Sequence, residues 1–277
     1  MPPPTTPSQT PSQTPGCPPP FDEPDRRIGD GGPDTELSDP GIPVFPSTDS
    51  PKYDEIMQGQ IGNCPLMAIL GGIANAKPTF LRDMVQELPG CKVRTRYGKK
   101  NYVSNAITVK FTDRTIFVSK MLWRDEGGDL LYAHGANSKA SWMSYVEKAY
   151  AQRGLGGYPD LDGQSISGKK PTANAYFEKV LGSPEQLMIS GAKDQEIWDF
   201  ISDPKTYAIL GGSKKTGVGD KYVPDHGYTV IAADKKHDAI TLYNPWGCDN
   251  GFCGSKAPLT NLATFRNVFE FLLRAKV

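Results

Sequence analysis

Gln58-Gly-Gln-Ile-Gly-Asn-Cys64 is the stretch on which the reading of this chain turns. It places a thiol six residues after a side-chain amide, with Gly59 and Gly62 in the loop between them. Leu66, Ile69, Leu70 and Ile73 then recur at helical spacing, and Asn63 suits an N-cap, so a helix is expected to begin near Cys64. A cysteine attacks as its thiolate, and a helix N-terminus together with a nearby imidazolium lowers a thiol's pKa. Gln58 is placed to donate to a developing oxyanion together with the backbone N–H of Cys64.

Two downstream segments complete the set. In Asp225-His-Gly-Tyr228, His226 sits just before an apolar run at 228–232, a strand-end position from which an imidazole can take and return a proton. In Asn244-Pro-Trp-Gly247, Asn244 follows the next run and can accept the imidazole N–H, fixing its tautomer, while Trp246 can cover that bond. His134 and His237, the two other histidines, fall in loops. Singly, each residue has an ordinary explanation: a buried structural thiol, a loop imidazole, an Asn-Pro turn, a solvated glutamine. Together, in the chain order Gln, Cys, His, Asn, they make the set that thiol-based acyl transfer needs.

Residues 1–50 hold 14 of the 25 prolines and the repeat Pro7-Ser-Gln-Thr-Pro-Ser-Gln-Thr-Pro15, with few apolar residues before Val44 and Phe45. This composition predicts a disordered, Pro-rich tail. Eight acids there (Asp22, Glu23, Asp25, Asp30, Asp34, Glu36, Asp39, Asp49) against Arg26 and Arg27 give −6, so the remaining 227 residues of the neutral chain carry +6. No basic run accompanies that excess, which argues against nucleic acid or a membrane surface as a partner. There is no apolar stretch of membrane-spanning length and no signal peptide at Met1-Pro-Pro-Pro-Thr-Thr6, so a cytoplasmic location is the default, with signal-independent export left open. Five cysteines in a long chain do not read as a disulfide scaffold.

Past residue 51, periodicity predicts helices near 64, over 80–88, over 141–152 and over 194–201. It predicts a hairpin from Ala106–Phe111 and Thr115–Ser119, strands at 207–210, 228–232 and 239–243, and a closing strand or helix at 268–275. Helices first and strands later give an α+β class with two lobes, a helical one over about 51–180 and a β-rich one over about 181–277, and a cleft between them. Cys248-Asp-Asn-Gly-Phe-Cys253 lacks a matching ligand pair for zinc and reads as a disulfide or two free thiols. Gly211–Gly217 has the wrong order for a phosphate loop, and no calcium-binding Asp-x-Asp-x-Asp-Gly loop occurs.

These residues resemble the catalytic core of the calpain family, papain-like cysteine peptidases. Gln58–Cys64 is similar to the family's Gln-Gly-x-Leu-Gly-Asp-Cys, Asp225-His-Gly-Tyr-Thr-Val230 to its Gly-His-Ala-Tyr-Ser-Val, and Tyr243–Gly247 to its Arg-Asn-Pro-Trp-Gly. Tyr145-Val-Glu-Lys-Ala-Tyr150 resembles a further family segment ending Leu-Leu-Glu-Lys-Ala-Tyr, and the likeness runs over roughly 52–277. It implies a two-lobed fold with the cysteine on the helical lobe. It also implies endopeptidase cleavage of protein or peptide substrates through a thioester: Cys64 as nucleophile, His226 as base and acid, Asn244 as orienting amide, Gln58 as oxyanion donor and Trp246 in support.

Three departures accompany the likeness. Pro65 replaces an aromatic residue after the nucleophile, a change the first turn of a helix tolerates. Asn63 replaces Asp, and still caps. The family's core often binds calcium, and here Glu55 matches one ligand position, while Pro159 stands where another acid is expected, with Asp160 one place on. The chemistry requires no cofactor, and calcium is not favoured. The alternatives are a catalytically silent calpain-like binding module and an acyl transferase using the same Cys-His-Asn set; the oligomeric state is not encoded in any pattern.

Overall fold

The computed structural model describes residues 17–27, 31–32, 34–46, 50–136, 139–154, 156–162, 172–247 and 259–277. The chain opens with β1 (Phe21–Asp22), β2 (Glu36–Ser38) and β3 (Ile56–Met57), followed by α1 (Cys64–Ala76) and α2 (Pro78–Met84). Strands β4 (Val85–Tyr97), β5 (Lys100–Lys110), β6 (Thr115–Ser119), β7 (Leu122–Arg124) and β8 (His134–Gly135) come next. Then follow α3 (Trp142–Arg153), α4 (Thr172–Val180), β9 (Glu185–Met188) and α5 (Asp194–Ile201). The last elements are β10 (Tyr207–Ser213), β11 (Gly227–Asp234), β12 (Ala239–Tyr243), β13 (Leu259–Thr260), α6 (Leu262–Val268) and β14 (Phe269–Lys276). The class is α+β, as the pattern of apolar runs implied.

Two sheets organise these elements. One has the order β1-β4-β5-β6, and the other is a six-stranded antiparallel sheet, β13-β12-β11-β10-β14-β9. Both faces of the larger sheet are buried, which explains its nearly continuous apolar runs. Ala208, Leu210, Phe271 and Leu273 join one core with α1, α3 and α4, while Ile209, Val230, Ile240 and Leu272 join a second core with Ile197 and Trp198 of α5 and Phe265 of α6. Alternation along each strand sends neighbouring side chains into different cores.

Helix α1 is buried from Cys64 through Asn75. Gly71 and Gly72 in its middle would ordinarily weaken a helix; here they set a close approach. A Cβ on Gly72 would stand 3.0 Å from Ala208 Cα on β10, and one on Gly71 would stand 2.7 Å from Thr229 Oγ1 on β11. Thr229 Oγ1 in turn donates to Ala68 O at 2.7 Å. The helix that begins with the thiol is thus seated on the strand that begins beside the imidazole.

Several expectations are corrected. The helix expected over 80–88 ends at Met84, and Val85–Leu88 open β4 instead, paired with β5 from Val85↔Val109 to Leu88↔Ala106. The half expected to be helical therefore carries a four-stranded sheet. The closing segment, expected as strand or helix over 268–275, is strand from Phe269 onward, with Val268 ending α6. The disordered tail expected through residue 50 does not hold for its described part. Phe21–Asp22 pair with Thr95–Arg96, Glu36–Ser38 pair with β7, and Leu37, Ile42 and Val44 are buried. Buried Glu23 forms an ion pair with buried Lys148 at 2.6 Å and accepts from Ser119 Oγ. A disulfide joins Cys17 to Cys91, a pairing the sparse cysteine count did not suggest. Residues 1–16 and the Cys248–Cys253 segment lie outside the described residues. Among the described residues, no helix is long and apolar enough to cross a membrane.

Candidate active site

The loop before α1 is fixed by backbone pairing on both sides. Gln58 N donates to Pro245 O at 3.0 Å, which ties the loop to the Asn244-Pro-Trp segment, and Gln60 N donates to Leu131 O at 3.1 Å. Gly59 has φ 73°, and a Cβ there would lie 2.5 Å from Tyr132 C, so only glycine fits. Gln58 is buried, and its Nε2 donates to Ile61 O at 2.6 Å, leaving one amide hydrogen for a ligand.

Cys64 is the first residue of α1, with Pro65 in the first turn, where its missing N–H costs nothing. Asn63 occupies the N-cap position, and its carbonyl accepts from Leu66 N at 2.9 Å. Its side chain does not cap the helix. Asn63 Nδ2 instead donates at 2.6 Å to Glu147 Oε1 on α3, and Glu147 Oε2 accepts from Ala133 N at 2.9 Å. Glu147 is completely buried, and burial pushes its carboxyl up to about 8 against the pull of those two hydrogen bonds.

His226 is buried immediately ahead of β11, where Ser213 Oγ accepts from its backbone N–H at 2.9 Å. The turn before it passes through Asp225 at φ 51°, a left-handed conformation that sharply reverses the chain. The His226 Nε2 to Asn244 Oδ1 distance is 2.7 Å, and the same oxygen accepts from Trp246 N at 3.0 Å. An amide oxygen only accepts, so the ring proton sits on Nε2 and Nδ1 is left as the basic nitrogen. The Trp246 indole stands edge-on to the imidazole with centroids 4.9 Å apart, and Tyr228 does the same at 5.0 Å.

The thiol and the imidazole meet through Gly227. Its N–H donates to Cys64 Sγ at 3.4 Å, and a Cβ on it would press on Pro65 Cα at 3.3 Å. Burial pushes the Cys64 thiol up to about 12, partly offset by the Gly227 N–H, and holds the His226 imidazole down to about 4 despite Asn244. The lowering expected from the helix N-terminus is opposed by burial, which favours the neutral form of each group.

All five candidate residues, Gln58, Cys64, His226, Asn244 and Trp246, thus belong to one connected site. His134 and His237 do not join it: His134 Nδ1 lies 2.8 Å from Tyr132 O, and His237 Nδ1 pairs with Asp234 at 2.6 Å. A cavity of about 860 Å³ flanks the site, lined by Gln58, Gly62, Trp246, Asp125, Asp129 and His134 among others. Glu147 is the member that sequence reasoning missed. A glutamate between Val146 and Lys148 on a helix reads as a solvated face, and only the spacing of its buried neighbours Tyr145, Val146 and Ala149 hints otherwise.

The acids near the loop are engaged within the chain. Glu55 Oε2 accepts from Lys52 N at 3.2 Å, Asp160 Oδ2 accepts from Gly156 N at 3.0 Å, and both Asp162 oxygens are engaged. Among the described residues no group of three or more His, Cys, Asp or Glu side chains is arranged to hold a metal.

An interior thiol at a helix start, an imidazole just ahead of a facing strand and an amide that orients the imidazole are the groups from which thiol-dependent acyl-transfer sites are built. The family model for calpain family cysteine proteases matches residues 36–257, and the chain belongs to that family.

Proposed function

We propose that this chain is a cysteine endopeptidase that cleaves protein or peptide substrates, with a papain-like arrangement in which a cleft separates the Cys64 side from the sheet bearing His226 and Asn244. The observation that carries the reading is the contact of Cys64 Sγ with Gly227 N at 3.4 Å, next to an imidazole already oriented by Asn244. His226 Nδ1 takes the thiol proton as the sulfur attacks the scissile carbonyl carbon and a C–S bond forms. The oxyanion receives the free N–H of Gln58 Nε2 and the backbone N–H of Cys64. Collapse breaks the C–N bond, and His226 returns its proton to the departing amine. Water, deprotonated by His226, then attacks the thioester and releases the acid, restoring the thiol. Trp246 shields the His226–Asn244 bond from water, which strengthens it. No step passes through a metal.

Labelling with a peptidyl fluoromethyl ketone, followed by peptide mapping, tests the assignment. Covalent capture of Cys64, abolished by Cys64→Ala or His226→Ala, is expected. An unlabelled Cys64 under reducing conditions, with and without calcium, overturns it in favour of a silent binding module. Amide products in the presence of an added amine, in place of free acids, would instead make the protein a transferase.

A further inference from the structure

We propose that Arg27, which lies ahead of the family-matched residues, is a positioning residue for the oxyanion donor: its guanidinium clamps the loop before Cys64, so that the loop is held by a cation belonging to the chain and not by a metal. This rests on the peptidase reading above.

Residues 25–27 run between the turn 157–162 and the loop 58–63. Asp25 O accepts from Tyr158 N at 2.8 Å, and a Cβ on Gly157 would lie 2.6 Å from Asp25 N and from Asp25 O, so backbone meets backbone there. Arg27 N donates to Tyr132 Oη at 2.9 Å, and the Tyr132 ring stacks on Tyr158 with centroids 3.9 Å apart. From this seat the Arg27 fork reaches both neighbours: Nη1 donates to Asp162 Oδ2 at 2.5 Å, and Nη2 donates to Gln60 O at 2.9 Å. The other oxygen of Asp162, Oδ1, accepts from Gly62 N at 3.0 Å.

The clamp therefore grips the backbone on either side of Ile61, at the carbonyl before it and the N–H after it. Ile61 O is the acceptor that holds Gln58 Nε2 at 2.6 Å. A shift of the 60–62 backbone would move the Gln58 amide directly. Arg27 and Asp162 side chains are 35% and 30% exposed, so the pair adds little to global stability, and its value lies in placement. A planar fork can serve a carboxylate and a carbonyl at once, whereas an ammonium concentrates its charge at one point.

The test uses the full chain, with Arg27→Ala, Arg27→Lys and Asp162→Asn. For Arg27→Ala the expected result is a fall in kcat of roughly tenfold or more with KM within about twofold, partial recovery on adding millimolar ethylguanidinium, and faster hydrogen exchange at the Gly62 amide. Arg27→Lys, the milder variant should Arg27→Ala fail to fold, should show the same changes to a smaller degree. Wild-type turnover should be indifferent to a calcium chelator. Unchanged kcat in a folded Arg27→Ala, or unchanged Gly62 exchange, overturns the clamp. If the wild type itself neither turns over nor captures the electrophile, the peptidase reading falls, and Gly62 exchange alone decides: acceleration in the variants upholds the clamp, and none removes it.

Discussion

Glu147, fully buried on α3, accepts at 2.6 Å from the side-chain amide of Asn63, the residue that leads into Cys64. Asn63 Oδ1 has no hydrogen-bond partner among the described residues. In Glu147→Gln, a rotated Asn63 amide can take the new N–H on Oδ1 while Ala133 N keeps its acceptor. A carboxyl whose folded pKa is raised from 4.5 to about 8 makes stability fall as pH rises through that window, because the folded state alone retains the proton. Resistance of the wild type to urea should thus fall between pH 4.5 and 8, by an amount on the order of several kcal/mol. Glu147→Gln should flatten this component, and Glu147→Ala should cost roughly 2–5 kcal/mol by orphaning two donors.

Burial of the Cys64 thiol has a kinetic signature. With the thiol pushed up to about 12, the rate of Cys64 alkylation by iodoacetamide in the free protein should keep climbing from pH 7 to 10, without a plateau at neutral pH. A plateau below pH 7 would show a resting ion pair. His226 adds an acid-side effect of the opposite sign to Glu147. Its imidazole is held down from 6.5 to about 4, so the unfolded chain binds the proton first and stability falls as pH drops from 6.5 toward 4, by about 3 kcal/mol. His226→Gln should remove that drop.

Asn244→Ala should lower kcat by roughly 10²-fold or more, since the imidazole loses the acceptor that fixes its tautomer. Asn244→Asp keeps an acceptor and adds a charge that favours the imidazolium. It should retain more activity, with the acidic limb of its pH–kcat/KM profile moved to higher pH.

The described residues between Cys17 and Phe45 pack onto the rest of the chain, and one buried pair gauges how strongly. Lys148 Nζ contacts Glu23 at 2.6 Å and donates to Ser119 Oγ at 2.8 Å, with both ionic partners buried. Lys148→Met should destabilise by roughly 3–5 kcal/mol because Glu23 is left buried and uncompensated. Glu23→Gln in the same background should recover part of that loss, as measured by chemical denaturation.

Helix α1, helix α5 and strands β10–β12 were legible in the sequence because their apolar residues repeat with one period and turn residues bound them. The end of α2 was not. Phe80, Leu81, Met84, Val85 and Leu88 suit a helix by spacing, but pairing of Val85–Leu88 with Val109–Ala106, distant in sequence, decides for strand. The packed segment before residue 46 was hidden for a related reason. Its order comes from a few long-range attachments (Cys17, Glu23, Arg27, Leu37, Val44), which proline-rich composition dilutes below notice. The residues proposed for the chemistry stood in recognisable motifs. Those that support them, Glu147 and Arg27, look like solvated charges until the partners are seen.

The bond between Cys17 and Cys91 closes a covalent ring of the chain that contains Cys64. A cut at any single peptide bond within that ring leaves the pieces fastened together, so self-cleavage there would be invisible on a gel run without reductant and would appear as two bands with it. The reductant that keeps a thiol enzyme ready for assay also opens this ring. Nicked protein kept in mild oxidant and nicked protein kept in dithiothreitol would then differ in whether the strap bearing Arg27 stays on the molecule.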